Sequence, residues 1–171
     1  MSLINAITSK SLREAAEIAK ESGYAPLIIN ERKPYYYTNN REIFEDSKLA
    51  LPIGKGLIEM RAVTRAGINQ MRNIIKIYDF NTIHYSGKNS EHLIFNCPEK
   101  FSELPYDQLR LKCLNDQPGI FINIRHAYAV VPPTKGYKNL SHSGVSDLSP
   151  DLVDVIFALH FDNIMSGAFN V

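Results

Sequence analysis

Apolar residues recur at helical spacing in three stretches of the chain and run together or alternate in the stretches between. In "SKSLREAAEIAKESG", Leu12, Ala15, Ala16 and Ala19 share one helical face, Ser11 and Glu14 have capping-box spacing, and Gly23 can end the element. This is the expected opening helix. The apolar "YAPLII" reads as a buried strand, and "NERKPYYYTNN" follows as a basic loop carrying Arg32 and Lys33 before Pro34. "LALPIGKGLIEMRAV" holds two short apolar runs around a turn from Gly54 to Gly56, and a helix with Ile68, Met71, Ile75 and Tyr78 on one side comes next. "NTIHYS" and "EHLIFNC" flank the turn "GKN" as a hairpin, and residues 100–117 show no clear period. "GIFINIRHAYAVVPP" reads as a second hairpin ended by Pro132 and Pro133. A last helix starts at Ser149 with Pro150 at its first position and Leu152, Val155, Ile156 and Leu159 as its stripe. The pattern predicts one α/β or α+β domain over residues 1–171, with mixed or antiparallel sheets flanked by helices.

Composition narrows the function classes. At 171 residues and 44% apolar content the chain can bury a real core, which argues against disorder. Nineteen basic residues against eighteen acidic ones create no global basic field, so any polyanion binding must be local. Cys97 and Cys113 have neither metal-ligand spacing nor a matching His pair, so neither a disulfide framework nor a zinc site is expected, and the cytoplasm is the expected compartment. The start lacks a basic segment followed by an apolar run, and no apolar stretch nears bilayer-spanning length, so no export and no membrane partner are expected.

The chemically unusual stretch is "IHYSGKNSEHLIFNCPE". It sets Gly87, Lys88, Ser90 and His92 into an otherwise apolar, strand-like run. Lys88 offers a point charge suited to phosphate, and Gly87 permits close backbone approach. A single His in an apolar strand also serves as a hydrogen-bonded core residue, so both readings of His92 stand at this level.

Taken in order, "AAEIAKESGYAPLIINERKP", "LPIGKGLIEMRAV", "SGKNSEHLIF" and "GIFINIRHAYAVVPPT" resemble successive landmarks of the bifunctional primase-polymerase (Prim-Pol) domain of plasmids, phages and mobile elements, a branch of the archaeo-eukaryotic primase superfamily. Each motif alone is weak; four in order are moderately specific. The resemblance spans most of the chain and implies the primase-like fold. It places Ser90 and His92 where the family contacts the triphosphate of an incoming nucleotide. It also exposes departures. Nucleotide polymerisation needs carboxylates that hold two divalent metals about 4 Å apart. Where the family has an Asp-x-Asp or Asp-x-Glu pair this chain has Glu59 and Arg61, and where the family has an Asp in a Gly-Ile-Asp strand it has Phe121. A lone Glu beside a fixed cation would bind Mg²⁺ poorly, so no metal is expected and catalysis is expected to be lost. Taken apart from the resemblance, Glu59 and Arg61 read equally as an exposed strand pair.

The expected function is therefore a catalytically degenerate domain that binds nucleotide, single-stranded DNA or primer-template DNA in replication of a mobile element, without a cofactor. The resemblance adds a replicative helicase as a partner in a longer protein. Lys88, Ser90, His92, Arg61 and Arg125 are the expected phosphate contacts, with His126 beside them. Arg32, Lys33, Lys135 and Lys138 are candidates for the nucleic-acid backbone, and Tyr35, Tyr36 and Tyr37 for base stacking, of which part must point inward. Two rival readings remain. One is an active primase or polymerase in which Glu59 converges with Asp79 or Asp116 on Mg²⁺ or Mn²⁺; the other is a protein-interaction domain that keeps only the fold.

Overall fold

A computed structural model describes residues 3–30, 33–38, 42–54, 56–112, 118–141 and 143–158. A short helix, α1 (Leu3–Ile7), precedes the predicted one, so residues 11–23 do not open the fold. Five residues are too few to show a helical period, and α1 is held by burying Leu3, Ile4 and Ile7. Helix α2 (Leu12–Glu21) has the expected capping box: the Ser11 hydroxyl accepts from the Glu14 amide, and the Glu14 carboxylate accepts from the Ser11 amide at 3.0 Å. Its small residues Ala15, Ala16 and Ala19 are fully buried, which lets the helix sit close on the sheet beneath.

Four strands, β1 (Leu27–Asn30), β2 (Lys33–Tyr36), β3 (Lys48–Ile53) and β9 (Ala127–Val130), form an antiparallel sheet in the order β2-β1-β3-β9. Lys33 thus begins a strand opposite Asn30, where a loop is expected from sequence; Arg32 lies outside the described residues. A seven-stranded sheet contains β4 (Leu57–Ala62), β5 (Ile83–Gly87), β6 (Ser90–Asn96), β7 (Gln108–Lys112), β8 (Pro118–Asn123), β10 (Lys138–Asn139) and β11 (Ser146–Asp147). Its path is β10-β5-β6-β4-β8-β7, with β11 parallel to the end of β6 and the other pairs antiparallel. The chain is therefore mixed α+β with largely antiparallel sheets.

The predicted hairpin of β5 and β6 forms, with Lys88 and Asn89 at its tip and Gly87 already inside the strand. The predicted hairpin over 119–131 does not. Strand β8 belongs to the seven-stranded sheet and β9 to the four-stranded one, and the chain changes sheet at Arg125 and His126, where His126 takes a left-handed φ of 54°. Period-two alternation identifies strands but not their partners. The chain also changes sheet between β3 and β4, through Gly54 and Gly56 at φ 108° and 82°. These two crossings touch: a Cβ on Gly54 would lie 2.8 Å from the Arg125 Cα.

Helix α3 (Arg65–Tyr78) starts at Thr64, whose hydroxyl accepts from the Gly67 amide, and ends at Asp79 in the left-handed conformation. A brief helix α4 (Glu99–Ser102) and strand β7 occupy the stretch that had no clear period. Helix α5, residues 150–158, begins as predicted, with the Ser149 hydroxyl accepting from the Leu152 amide. Its buried stripe is Leu152, Val153 and Ile156; Val155 is exposed, contrary to the sequence reading, and Leu159 lies outside the described residues.

Alternation along β4 decides where everything else goes. Ile58, Met60 and Ala62 face the α3 and α5 side and join a cluster with Leu93, Phe95, Ile120, Ile122, Met71 and Leu152. Each such Ile or Leu side chain contributes about 1.5–3 kcal/mol of burial free energy. The opposite face of the same sheet carries Leu57, Ile83, Tyr85 and Ile94 into a second cluster with Ile28, Leu49, Leu51 and the helices α1 and α2. Glu59 and Arg61 alternate onto this second face. Among the described residues no helix is long and apolar enough to cross a membrane.

Candidate functional site

Strand register assembles the site. Arg61 of β4 lies opposite His92 of β6 on one side and Phe121 of β8 on the other, and Glu59 lies opposite Ile94 and Asn123. Tyr85 of β5 is opposite His92, and Gly87 is opposite Ser90. Directly opposed residues on antiparallel strands project to the same face, so Glu59, Arg61, Tyr85, Ser90, His92, Phe121 and Asn123 share one.

Glu59 is the hub. It is 1% exposed, against the sequence reading of an exposed strand pair, and both its oxygens are engaged. Oε1 accepts from His92 Nδ1 at 2.8 Å and from the Tyr85 hydroxyl at 3.4 Å; Oε2 accepts from Asn123 Nδ2 at 2.5 Å. A carboxylate only accepts, so His92 carries hydrogen on Nδ1, and its Nε2 is hydrogen-bonded to the Ser90 hydroxyl at 2.7 Å. The chain continues across the sheet: Asn123 Oδ1 accepts from Gln108 Nε2 at 2.6 Å, and Gln108 Oε1 accepts from Arg110 Nε at 3.4 Å. Donors on β6, β5 and β8 thus converge on one buried acidic group, which offsets its loss of hydration.

Aromatic rings fix the imidazole plane. Tyr85 stacks on His92 with centroids 4.7 Å apart and planes 6° apart, and the Tyr137 ring lies 6.1 Å from His92. Burial is the main cause that raises both tyrosine hydroxyls above their ordinary pKa, and the negative charge of Glu59 adds to it. Both stay protonated through the neutral range, so Tyr85 remains a donor. Gly87 leaves the room that this arrangement uses: a Cβ would lie 2.6 Å from Ser90 Oγ, 3.0 Å from the Tyr137 ring and 3.3 Å from His92 Nε2.

The cationic component is Arg61. Its guanidinium lies 5.8 Å from the centroid of Phe121, and Arg110 approaches the same ring at 6.0 Å. The Arg61 Nε is buried and has no hydrogen-bond partner among the described residues. Phe121, where the family resemblance has a metal-binding Asp, therefore supports two guanidinium groups.

The other expected residues scatter. Arg125 is not part of this group: it bonds the Leu104 carbonyl and pairs with Asp107 at 3.5 Å, beyond the Asn123 end of β8. His126 is 78% exposed in its side chain, 4.0 Å from the same Asp107. Lys88 is exposed at the hairpin tip. Lys138 is exposed opposite Ser86, whose neighbours on β5 face the site, so it projects away from it. Lys135 lines a separate cleft of about 460 Å³ with Glu45, Asp46, Ser47, Lys48 and Thr134. The tyrosine run divides as alternation requires. Tyr37 is buried and donates to Glu17, Tyr35 donates to the Glu42 carbonyl, and Tyr36 is 54% exposed.

Asp79 caps α3 and is exposed, and Asp116 lies outside the described residues. Among the described residues no cluster of three or more His, Cys, Asp or Glu side chains is arranged to hold a metal ion. The two-metal chemistry of the rival reading does not fit Glu59, whose oxygens are taken by His92, Tyr85 and Asn123. Sequence reasoning missed Asn123, Gln108, Arg110, Tyr85 and Tyr137. Asn123 carried a signal, a polar residue two positions beyond Phe121 in an apolar strand. No protein-family model matches the chain, and no curated protein matches it.

Proposed function

We propose that this chain is a primase-polymerase-like domain with degenerate catalytic motifs, which holds a nucleotide by its phosphates during replication of a mobile element and does not join nucleotides. The observation that carries this reading is Arg61: a fixed cation with a buried, unpartnered donor, on the same face as Ser90 and His92 and opposite His92 in the sheet. A phosphate oxygen is the acceptor that such a donor lacks, and guanidinium suits it in geometry and charge. Arg61 thus takes over the electrostatic part of a metal's role in binding. It cannot generate the nucleophile that chain extension requires.

The reading is tested by titrating nucleoside triphosphates and single-stranded DNA in the presence of a chelator. Binding that persists without divalent metal supports it, and complete dependence on Mg²⁺ or Mn²⁺ would overturn it. Primer synthesis assayed with Mn²⁺ and labelled nucleotides is expected to give no product, whereas robust Glu59-dependent product would restore the active-enzyme reading.

A further inference from the structure

Ser90, His92 and Glu59 form a continuous hydrogen-bonded relay, with contacts of 2.7 Å and 2.8 Å on the two imidazole nitrogens. The relay is built for one orientation. Asn123 holds the second carboxylate oxygen, Tyr85 stacks on the ring, and His92 and Glu59 are 4% and 1% exposed. With Nδ1 committed to Glu59, Nε2 presents its lone pair to the Ser90 hydroxyl, the arrangement that activates a serine for attack. Ser90, at the outer end of the relay, is partly exposed. Gly87 lacks the Cβ that would lie 2.6 Å from Ser90 Oγ. The unpartnered Arg61 Nε supplies a donor on the same face for developing negative charge.

We propose that Ser90 is a nucleophile and that this chain hydrolyses a small, negatively charged carboxylic ester through an acyl-Ser90 intermediate. Ser90 Oγ bonds to the ester carbonyl carbon while its proton passes to His92 Nε2. The ester C–O bond then breaks, and the proton moves to the departing alcohol oxygen. Water enters, gives one proton to His92 and attacks the acyl carbon. The Oγ–C bond breaks, Ser90 regains its proton, and the carboxylic acid leaves. Glu59 touches no substrate; it is a positioning residue that fixes the imidazole tautomer and balances the imidazolium. Arg61 selects for negative charge on the ester. This activity stands apart from the nucleotide reading, which requires no covalent step and is read by equilibrium titration.

The test is labelling of the folded chain with a biotinylated alkyl fluorophosphonate, with the adduct mapped by peptide mass. A single adduct at Ser90 is expected, absent from Ser90→Ala and forming at least ~100-fold more slowly in His92→Gln. No adduct at Ser90 in the folded chain, or one forming as fast in folded His92→Gln, would overturn the proposal. If His92→Gln does not fold, Ser90→Cys decides. Its thiol is expected to be alkylated by iodoacetamide faster than Cys97, whose thiol is pushed above its ordinary pKa by burial. Equal or slower alkylation would overturn the proposal.

Discussion

Glu59 stays buried in a strand because each of its oxygens has a donor, and those donors come from three different strands. Glu59→Gln puts an NH₂ group where one acceptor stood and faces it toward existing donors. It is expected to destabilise the fold by about 2 kcal/mol, read as a lower urea midpoint; an unchanged midpoint would mean that the network contributes nothing. Gly87→Ala has a milder expected effect. The added methyl turns the Ser90 hydroxyl away from His92, which removes one hydrogen bond of about 1 kcal/mol and slows any reaction at Ser90. The grouping of Glu59 with Arg61, and of Ser90 with His92, is legible in sequence, because alternate strand residues share a face. That Arg61 meets His92 is not, since register depends on which strands pair. Asn123 escaped notice because the family resemblance draws attention to Phe121, two positions away on the same face.

Helix α3 shows how an element is set by a contact that propensity would not foresee. Alanine is the better helix former than glycine by about 1 kcal/mol, yet Gly67 sits where a Cβ would come within 2.2 Å of the Gly119 carbonyl oxygen. Backbone on β8 cannot step aside as a side chain can. Gly67→Ala is therefore expected to cost about 1–3 kcal/mol net in chemical denaturation, the reverse of the propensity effect. On its other flank α3 is clamped to β6 by Arg72, which bonds both oxygens of the buried Glu91, with His84 Nε2 3.3 Å from the same carboxylate. Burial lowers the His84 pKa below its ordinary value, and Glu91 opposes that shift. The unfolded chain then binds the proton more tightly, so this part of the stability is present above about pH 6.5 and is lost as pH falls toward the folded value. Denaturation at pH 7.5 and 5.5 is expected to show a smaller acid loss for His84→Gln than for the parent chain. Helices α2, α3 and α5 and the β5–β6 hairpin were legible because their periods and turn residues are local, whereas α1 and α4 are too short to show a period. The supposed hairpin over 119–131 was not, because β8 and β9 pair with strands far away in sequence.

At the scale of the whole molecule, two sheets meet at two adjacent crossings, Gly54 against Arg125, and the four-stranded sheet covers part of the face on which the site lies. The sheet carries Arg61, His92 and Ser90 into one group and leaves Arg125, Lys135 and Lys138 elsewhere. Charge at the site is thus local, as the near balance of 19 basic and 18 acidic residues requires. If that charge exists to hold phosphate, the Nε–H of Arg61 must find its acceptor when a nucleotide arrives. The direct measurement is the arginine Nε–H region of a ¹H–¹⁵N spectrum, with the Arg61 signal assigned by loss in Arg61→Lys, during titration with a nucleoside triphosphate in chelator. A saturable shift of the Arg61 signal is predicted; a signal that does not move while nucleotide binds, or a titration in which no nucleotide binds, would contradict the account.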